Sequence, residues 1–305
     1  MTTSKTRRRD VHQEVTNSII SAIEAGAGDW QMPWHRAGSG LNRPVNIASG
    51  NRYQGINIVA LWGAAQMRGF GSSGTWGTYR QWQANGAQVR KGENGSVVVF
   101  YKEIAYDAEN EESGETESHR RLFARASTVF NADQVDGYEE PLPEPKDPVR
   151  VIEAADHFVL ATGADIRHGG LRAFYRPSDD FIQMPEKARF TGSGTSDATE
   201  SYYATLLHEL THWTGPARRC DRQFGKRFGD DAYAMEELVA ELGAAFLCAD
   251  LGVTLTPRPD HAAYLDHWLK VLKADSKAIF TAASQASRAA AYLESLQPVA
   301  EERAA

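Results

Sequence analysis

Apolar positions recur at helical spacing near the start of the chain. In DVHQEVTNSIISAIEA (residues 10–25), Val15, Ile19, Ile20 and Ile23 share one face and predict an amphipathic helix. The run GINIVALWGAAQMR (55–68) predicts a second helix, and the Gly-, Trp-, Pro- and Asn-rich segment between them, through Asn46, reads as a loop. From Thr75 to Trp82 the chain leads into the glycine-punctuated turn NGAQVRKGENGS. Val97–Tyr101 and Leu122–Phe130 are rich in β-branched and aromatic residues and predict paired strands, with the acidic stretch 107–117 as a solvated loop between them.

The pattern changes after PLPEPKDP, where four prolines in eight residues predict a stiff, extended linker. Beyond it, VIEAADHFVLATG reads as a helix ended by Gly163. Ala173–Tyr175 and Phe181–Met184 flank PSDD in a hairpin pattern. Asp197 and Glu200 stand where a capping box would start a helix running to about Gly215. Ala232–Leu251 predicts another helix ended by Gly252, and the Ala-rich stretch from His261 is helical in pattern. No internal repeat is visible. The expectation is an α+β fold: a domain over residues 1–140, a linker over 141–149, and a mainly helical domain with a small sheet over 150–305.

Composition adds limits. With 42% hydrophobic and 24% charged residues the chain has an ordinary globular make-up. No apolar run reaches the roughly 20 residues that span a bilayer. The charged N-terminus lacks the apolar core of a secretory signal, and two cysteines make no disulfide framework, so a cytoplasmic protein with no membrane partner is expected. The net charge of -7 hides an asymmetry: residues 1–103 carry 12 Lys and Arg against 6 Asp and Glu, whereas the remainder carries 21 against 34. Five of the seven tryptophans lie in that basic first third. Two regions with different partners are the natural reading.

The stretch LLHELTHW holds the strongest chemistry. On a helix, His208 and His212 stand one above the other and can offer two imidazoles to one ion, with Glu209 beside them as general base on a water. Such a motif arises by chance in about one chain of this length in a hundred, so context decides. Glu237 and Glu241, again four apart, lie on an apolar helix among Ala234, Leu238, Ala240 and Ala244, where buried acids need a partner. Glu237 is the expected third ligand and Glu241 the expected hydrogen-bond partner of a ligating histidine. Glu236, about 100° round the helix, is expected to face away. The plain alternative for these acids is a solvated helix edge. Two histidines and a carboxylate suit Zn²⁺, with Mn²⁺ and other divalent ions able to use the same ligands. Phe181–Met184 is the expected edge strand to which a peptide substrate could add, and Tyr202, Tyr203 or Tyr233 the expected oxyanion donor. Leu210 and Trp213 are expected in the core, and Cys220 is not expected to be a ligand.

Longer motifs carry a resemblance. TWGTYRQW and GAQVRKGENGSVVVFYKE, preceded by PVNIASGNRYQGINIVAL, resemble the N-terminal single-stranded-DNA-binding domain of the ArdC antirestriction proteins. LLHELTHWTG followed by FGKRFGDDAYAMEELVAELGAAFL resembles their zincin-like metallopeptidase domain. The resemblance covers about residues 10–295. It implies a protein of plasmids and other mobile elements that shields incoming DNA from restriction, and it maps the metal motif onto His208, Glu209, His212 and Glu237.

The first domain agrees with that reading, since single strands are held by positive grooves and aromatic faces. Arg43, Arg52, Arg80, Arg90, Lys91 and Lys102 could supply charge, and Trp30, Trp34, Trp76, Tyr79 and Trp82 stacking faces; core burial is the competing reading for each tryptophan. Arg90-Lys91-Gly92 is the best phosphate contact, and the KTRRR tail could add nonspecific affinity. Three functions compete. One is a single-stranded-DNA-binding antirestriction protein with a peptidase that acts on a DNA-bound or restriction-system protein. The second is a DNA shield whose metal site is structural or inactive. The third, an acidic DNA mimic, fits a basic first third poorly.

Overall fold

The computed structural model describes residues 10–26, 42–70, 73–109, 116–139, 148–191, 197–222, 231–253 and 261–298. The chain starts with α1 (Val11–Gly26), whose Val15, Ile19, Ile20 and Ile23 are all buried, as their spacing requires. Then come β1 (Val45–Asn46), α2 (Ile56–Arg68), β2 (Thr75–Gly77), α3 (Tyr79–Ala84), β3 (Gln88–Val89), β4 (Ser96–Glu109), β5 (Thr116–Asn131) and β6 (Val135–Asp136). The main sheet has the order β1-β2-β5-β4, with β1 parallel to β2 and the rest antiparallel. The long β4–β5 pair extends further than the sequence suggests: Ser96 faces Val129 and Glu109 faces Thr116. Residues 107–109 and 116–117, read as loop, are therefore strand. α3 starts with a capping box between Thr78 and Gln81.

β4 is an edge strand, and Asn57 on α2 covers part of it. Its side-chain amide donates to Val99 O and accepts from Val99 N, both at 2.8 Å, as a neighbouring strand would.

The second half comprises α4 (Pro148–Ala161), β7 (Asp165–His168), β8 (Phe174–Arg176), β9 (Phe181–Met184), α5 (Ala198–Trp213), α6 (Asp231–Leu251), α7 (His261–Ala274) and α8 (Ala278–Ser295). The Asp197–Glu200 capping box starts α5 as expected. The stretch from His261 is two helices rather than one, because Asp275, Ser276 and Lys277 form a turn. β7 is a strand the sequence did not announce, being short and mostly polar. It pairs with β9, giving the order β7-β9-β8. That corrects the edge-strand assignment: Phe181–Met184 is the central strand, and the edges are β7 and β8.

From Leu238 to Ala249 every residue of α6 is buried, the signature of a helix surrounded on all sides. One continuous core spans both halves of the chain. Trp62 of α2 packs against Phe246 of α6 (5.7 Å between ring centroids), and the Arg43 guanidinium lies 5.0 Å from the same Phe246 ring. Gly55 N donates to Ser287 Oγ (2.9 Å), and Thr16 Oγ1 donates to Ser276 O (2.6 Å). The proline-rich linker falls largely outside the described residues.

Candidate metal centre

α5 and α6 approach closely because α6 has a glycine where they cross. A Cβ on Gly243 would come within 2.5 Å of Thr211 Cγ2, and Thr211 is fully buried. This contact brings two side-chain pairs face to face: His208 and His212 on α5, Glu237 and Glu241 on α6.

The ligand atoms of His208, His212 and Glu237 all lie within 4.8 Å of one another. The two Nε2 atoms are 3.1 Å apart. Glu237 places Oε2 3.6 Å from Nε2 of His208 and Oε1 3.5 Å from Nε2 of His212. Ligands bonded at 2.0–2.1 Å in a tetrahedron sit about 3.3 Å apart, so the three donors suit a single divalent ion. The charge balance points the same way. Among the described residues, Glu209, Glu236, Glu237 and Glu241 gather round the two imidazoles against one guanidinium, that of Arg222.

Glu236 does not face away. Nδ1 of His212 donates to Glu236 Oε1 at 3.1 Å, and Arg222 holds both oxygens of that carboxylate (2.8 and 3.1 Å). A carboxylate only accepts, so Nδ1 keeps its proton, and Nε2 is the nitrogen that, once deprotonated, turns a lone pair to the centre. The Arg222 side chain is itself wholly buried and also donates to Thr214 Oγ1 and Thr211 O. Helical angle alone missed Glu236 because His212 sits one turn further along α5 than His208 and meets a different side of α6. Glu241 places Oε2 3.6 Å from Nδ1 of His208, longer than a hydrogen bond.

Burial opposes charge on His212, but the Glu236 hydrogen bond and the charges of Glu237, Glu236 and Glu209 raise its pKa to about 9 in the metal-free site. Burial also pushes the Glu237 carboxyl up, yet both imidazoles and a Tyr233 hydrogen bond hold it at about 2. Glu209 is buried within range of His212. Of the three tyrosines, Tyr202 is engaged by His168 (2.8 Å) and Tyr203 by Asp156, which leaves Tyr233 at the centre. Leu210 and Trp213 are core residues, and Cys220 is buried with Sγ against Arg288 O.

The nominated nucleic-acid residues are scattered. Trp76 is 1% exposed and packs edge-on to Phe70, so it presents no face to a base. Trp82 is equally enclosed and donates to Phe130 O (3.0 Å). Arg43 is buried against Asp250 at 3.2 Å and cannot reach a phosphate. Arg90 binds the turn together through Glu93 (3.1 Å), Val135 O and Asp133 O. Arg52, Tyr79, Arg80 and Lys91 are exposed, Arg52 also pairing with Asp250 at 2.9 Å. Trp30, Trp34 and the KTRRR tail lie outside the described residues, as does the side chain of Lys102. Phe100 and Tyr101, which the sequence did not single out, are both half exposed.

Two family models match the chain: the N-terminal domain of anti-restriction factor ArdC over residues 9–130, and a zincin-like metallopeptidase over residues 153–285. An uncharacterised protein of Sinorhizobium fredii, y4eC, is 50% identical over 97% of this chain and 96% of its own length. Two DNA primases TraC of Escherichia coli are 38% identical over 94% and 92% of this chain, which matches 20% and 27% of theirs. Among solved structures, the antirestriction ArdC protein from plasmid R388 is 41% identical, with a TM-score of 0.74 over 94% of this chain and 98% of that one. It has been solved metal-free and with Mn(II) bound.

Proposed function

The chain belongs to the ArdC antirestriction family, and on that premise we propose that it binds single-stranded DNA, protects incoming DNA from host restriction, and carries a working metal-dependent peptidase. The carrying observation is the convergence of His208, His212 and Glu237 on one point, with Glu209 buried beside them. A purely structural ion has no use for that fourth group.

A divalent ion at this centre, Zn²⁺ or the Mn²⁺ seen in the R388 relative, would acidify a water and polarise a peptide carbonyl. The protein supplies the rest. His212, fixed by Glu236 and Arg222, presents Nε2 in the correct tautomer. Glu209 takes the proton from the attacking water and delivers it to the leaving amine. Tyr233, whose hydroxyl is hydrogen-bonded to Glu237, would turn that hydroxyl to the developing oxyanion. The substrate class this implies is a protein bound to DNA or belonging to a restriction system.

The test is Glu209→Gln in the full chain, with metal content and cleavage of DNA-bound proteins measured together. Retained metal with cleavage lost by about 10²-fold or more supports the reading. Cleavage at the wild-type rate removes Glu209 from the chemistry. A wild-type protein that takes up no divalent ion removes the centre.

A further inference from the structure

A cleft of about 1040 Å³ opens between the two halves of the chain. One wall is the segment around residues 46–57 together with β4; the other is Lys277 and α8 as far as Ala291. Its size is at the upper end of what ligand sites occupy. Its chemistry departs from that of the whole molecule. The net charge of the chain is -7, yet the described residues lining this cleft include Arg52, Lys277, Arg288 and His12 and, among them, no aspartate or glutamate.

Phe100 and Tyr101 line the same space, each 48% exposed. Aromatic rings this open, beside cations and side-chain amides, offer stacking faces rather than core contacts. The end of the cleft is tied together across three elements: Nε2 of His12 lies 3.1 Å from the Tyr101 hydroxyl, and its ring centroid 4.6 Å from that of Phe280. Arg288 is held in place by donating to Cys220 O and Gln285 Oε1, both at 3.1 Å. Arg52 shares Asp250 with Arg43, with Glu294 beside them, and keeps a half-exposed guanidinium on the cleft.

We propose that this cleft is the seat of a single-stranded nucleic acid, with bases stacked on Phe100 and Tyr101 and phosphates on Arg52, Lys277 and Arg288. Duplex DNA keeps its base faces inside the stack, so only unpaired bases can use those rings. The inference rests on the DNA-binding reading above and goes further, because α8 belongs to the half that carries the metal centre. The strand is gripped by both halves at once, and the N-terminal half alone holds one wall of the site.

The experiment is fluorescence anisotropy of a labelled 15-mer of thymidylate with the full chain across a salt series. Wild type, Phe100→Ala/Tyr101→Ala, Lys277→Ala, and Arg189→Ala as an exposed cation outside the cleft are compared, with urea midpoints recorded for all. Expected are a loss of about tenfold or more in affinity for the double variant and a salt slope shallower by about 0.7 for Lys277→Ala, with Arg189→Ala within twofold of wild type. If the double variant fails to fold, the exposed Lys277 carries the test by itself. A wild type that binds the oligonucleotide, with cleft variants binding equally well at unchanged slope, overturns the cleft and leaves the DNA-binding reading intact. A wild type that ignores single strands at low salt sinks the DNA-binding reading itself. Displacement of the oligonucleotide by polyglutamate at equal charge concentration would make the cleft a general polyanion site and overturn the stacking role.

Discussion

The candidate metal centre and the proposed nucleic-acid surface differ in how far local sequence defines them. At the centre, the nominated His208, His212 and Glu237 come within 4.8 Å of one another, while Glu241 stays 3.6 Å from His208 and Tyr202 and Tyr203 are engaged elsewhere. On the N-terminal half, three of the nominated residues, Trp76, Trp82 and Arg43, turn out to hold the core and the junction between halves. The difference is one of geometry. Residues four apart on a helix are neighbours whatever the rest of the chain does. A binding surface is assembled from distant segments, and its residue types are the ones that also build cores.

That contrast can be attacked at several depths. The deepest cut is His208→Ala/His212→Ala, expected to abolish metal binding, by elemental analysis, while affinity for single strands stays within twofold. Loss of both together would mean the two regions are not separable in function. Next is Trp76→Ala, expected to cost about 3–5 kcal/mol in urea unfolding as a core truncation, against less than about 0.5 kcal/mol for the exposed Arg80→Ala. A Trp76 variant of wild-type stability with weakened DNA binding would restore it as a stacking residue. Arg222→Met leaves Glu236 without its cation and should weaken metal affinity about 10–100-fold in competition with a chelator. Gly243→Ala, which crowds Thr211, should destabilise by about 1–3 kcal/mol and lower metal affinity with it.

The smallest effect is that of pH. His212 in the metal-free protein titrates near 9, above the ordinary 6.5. Its imidazolium therefore stabilises the metal-free fold fully below pH 6.5, and that contribution is lost as pH rises through 9. Metal uptake must expel the same proton, so apparent affinity should rise with pH over this window, with proton release visible in a weakly buffered titration. Affinity independent of pH from 6.5 to 9 would show that His212 is not a ligand.

What the sequence made legible follows the same division. The spacing of Val15, Ile19, Ile20 and Ile23, the Asp197–Glu200 cap and the histidine pair are local facts, and each predicted its structure. β7 escaped notice because Asp165–His168 has no apolar alternation and becomes a strand only by pairing with β9. Its presence turned the expected edge strand into a central one. Glu236 escaped because its role depends on how α5 crosses α6. Phe100 and Tyr101 looked like ordinary strand residues until α8 was placed opposite them.

The buried middle of α6 has a consequence for inheritance. A helix that touches α2 on one side and carries the candidate ligand Glu237 on another cannot be traded between proteins with only half of its surroundings. Recombination that replaced either half would have to deliver a matching apolar face for Phe246 and a matching carboxylate for Arg43. The TraC primases match this chain over 94% and 92% of its length within much longer polypeptides. What travels between genes, on this view, is the whole pair, so the two halves are passed on as a single heritable cassette.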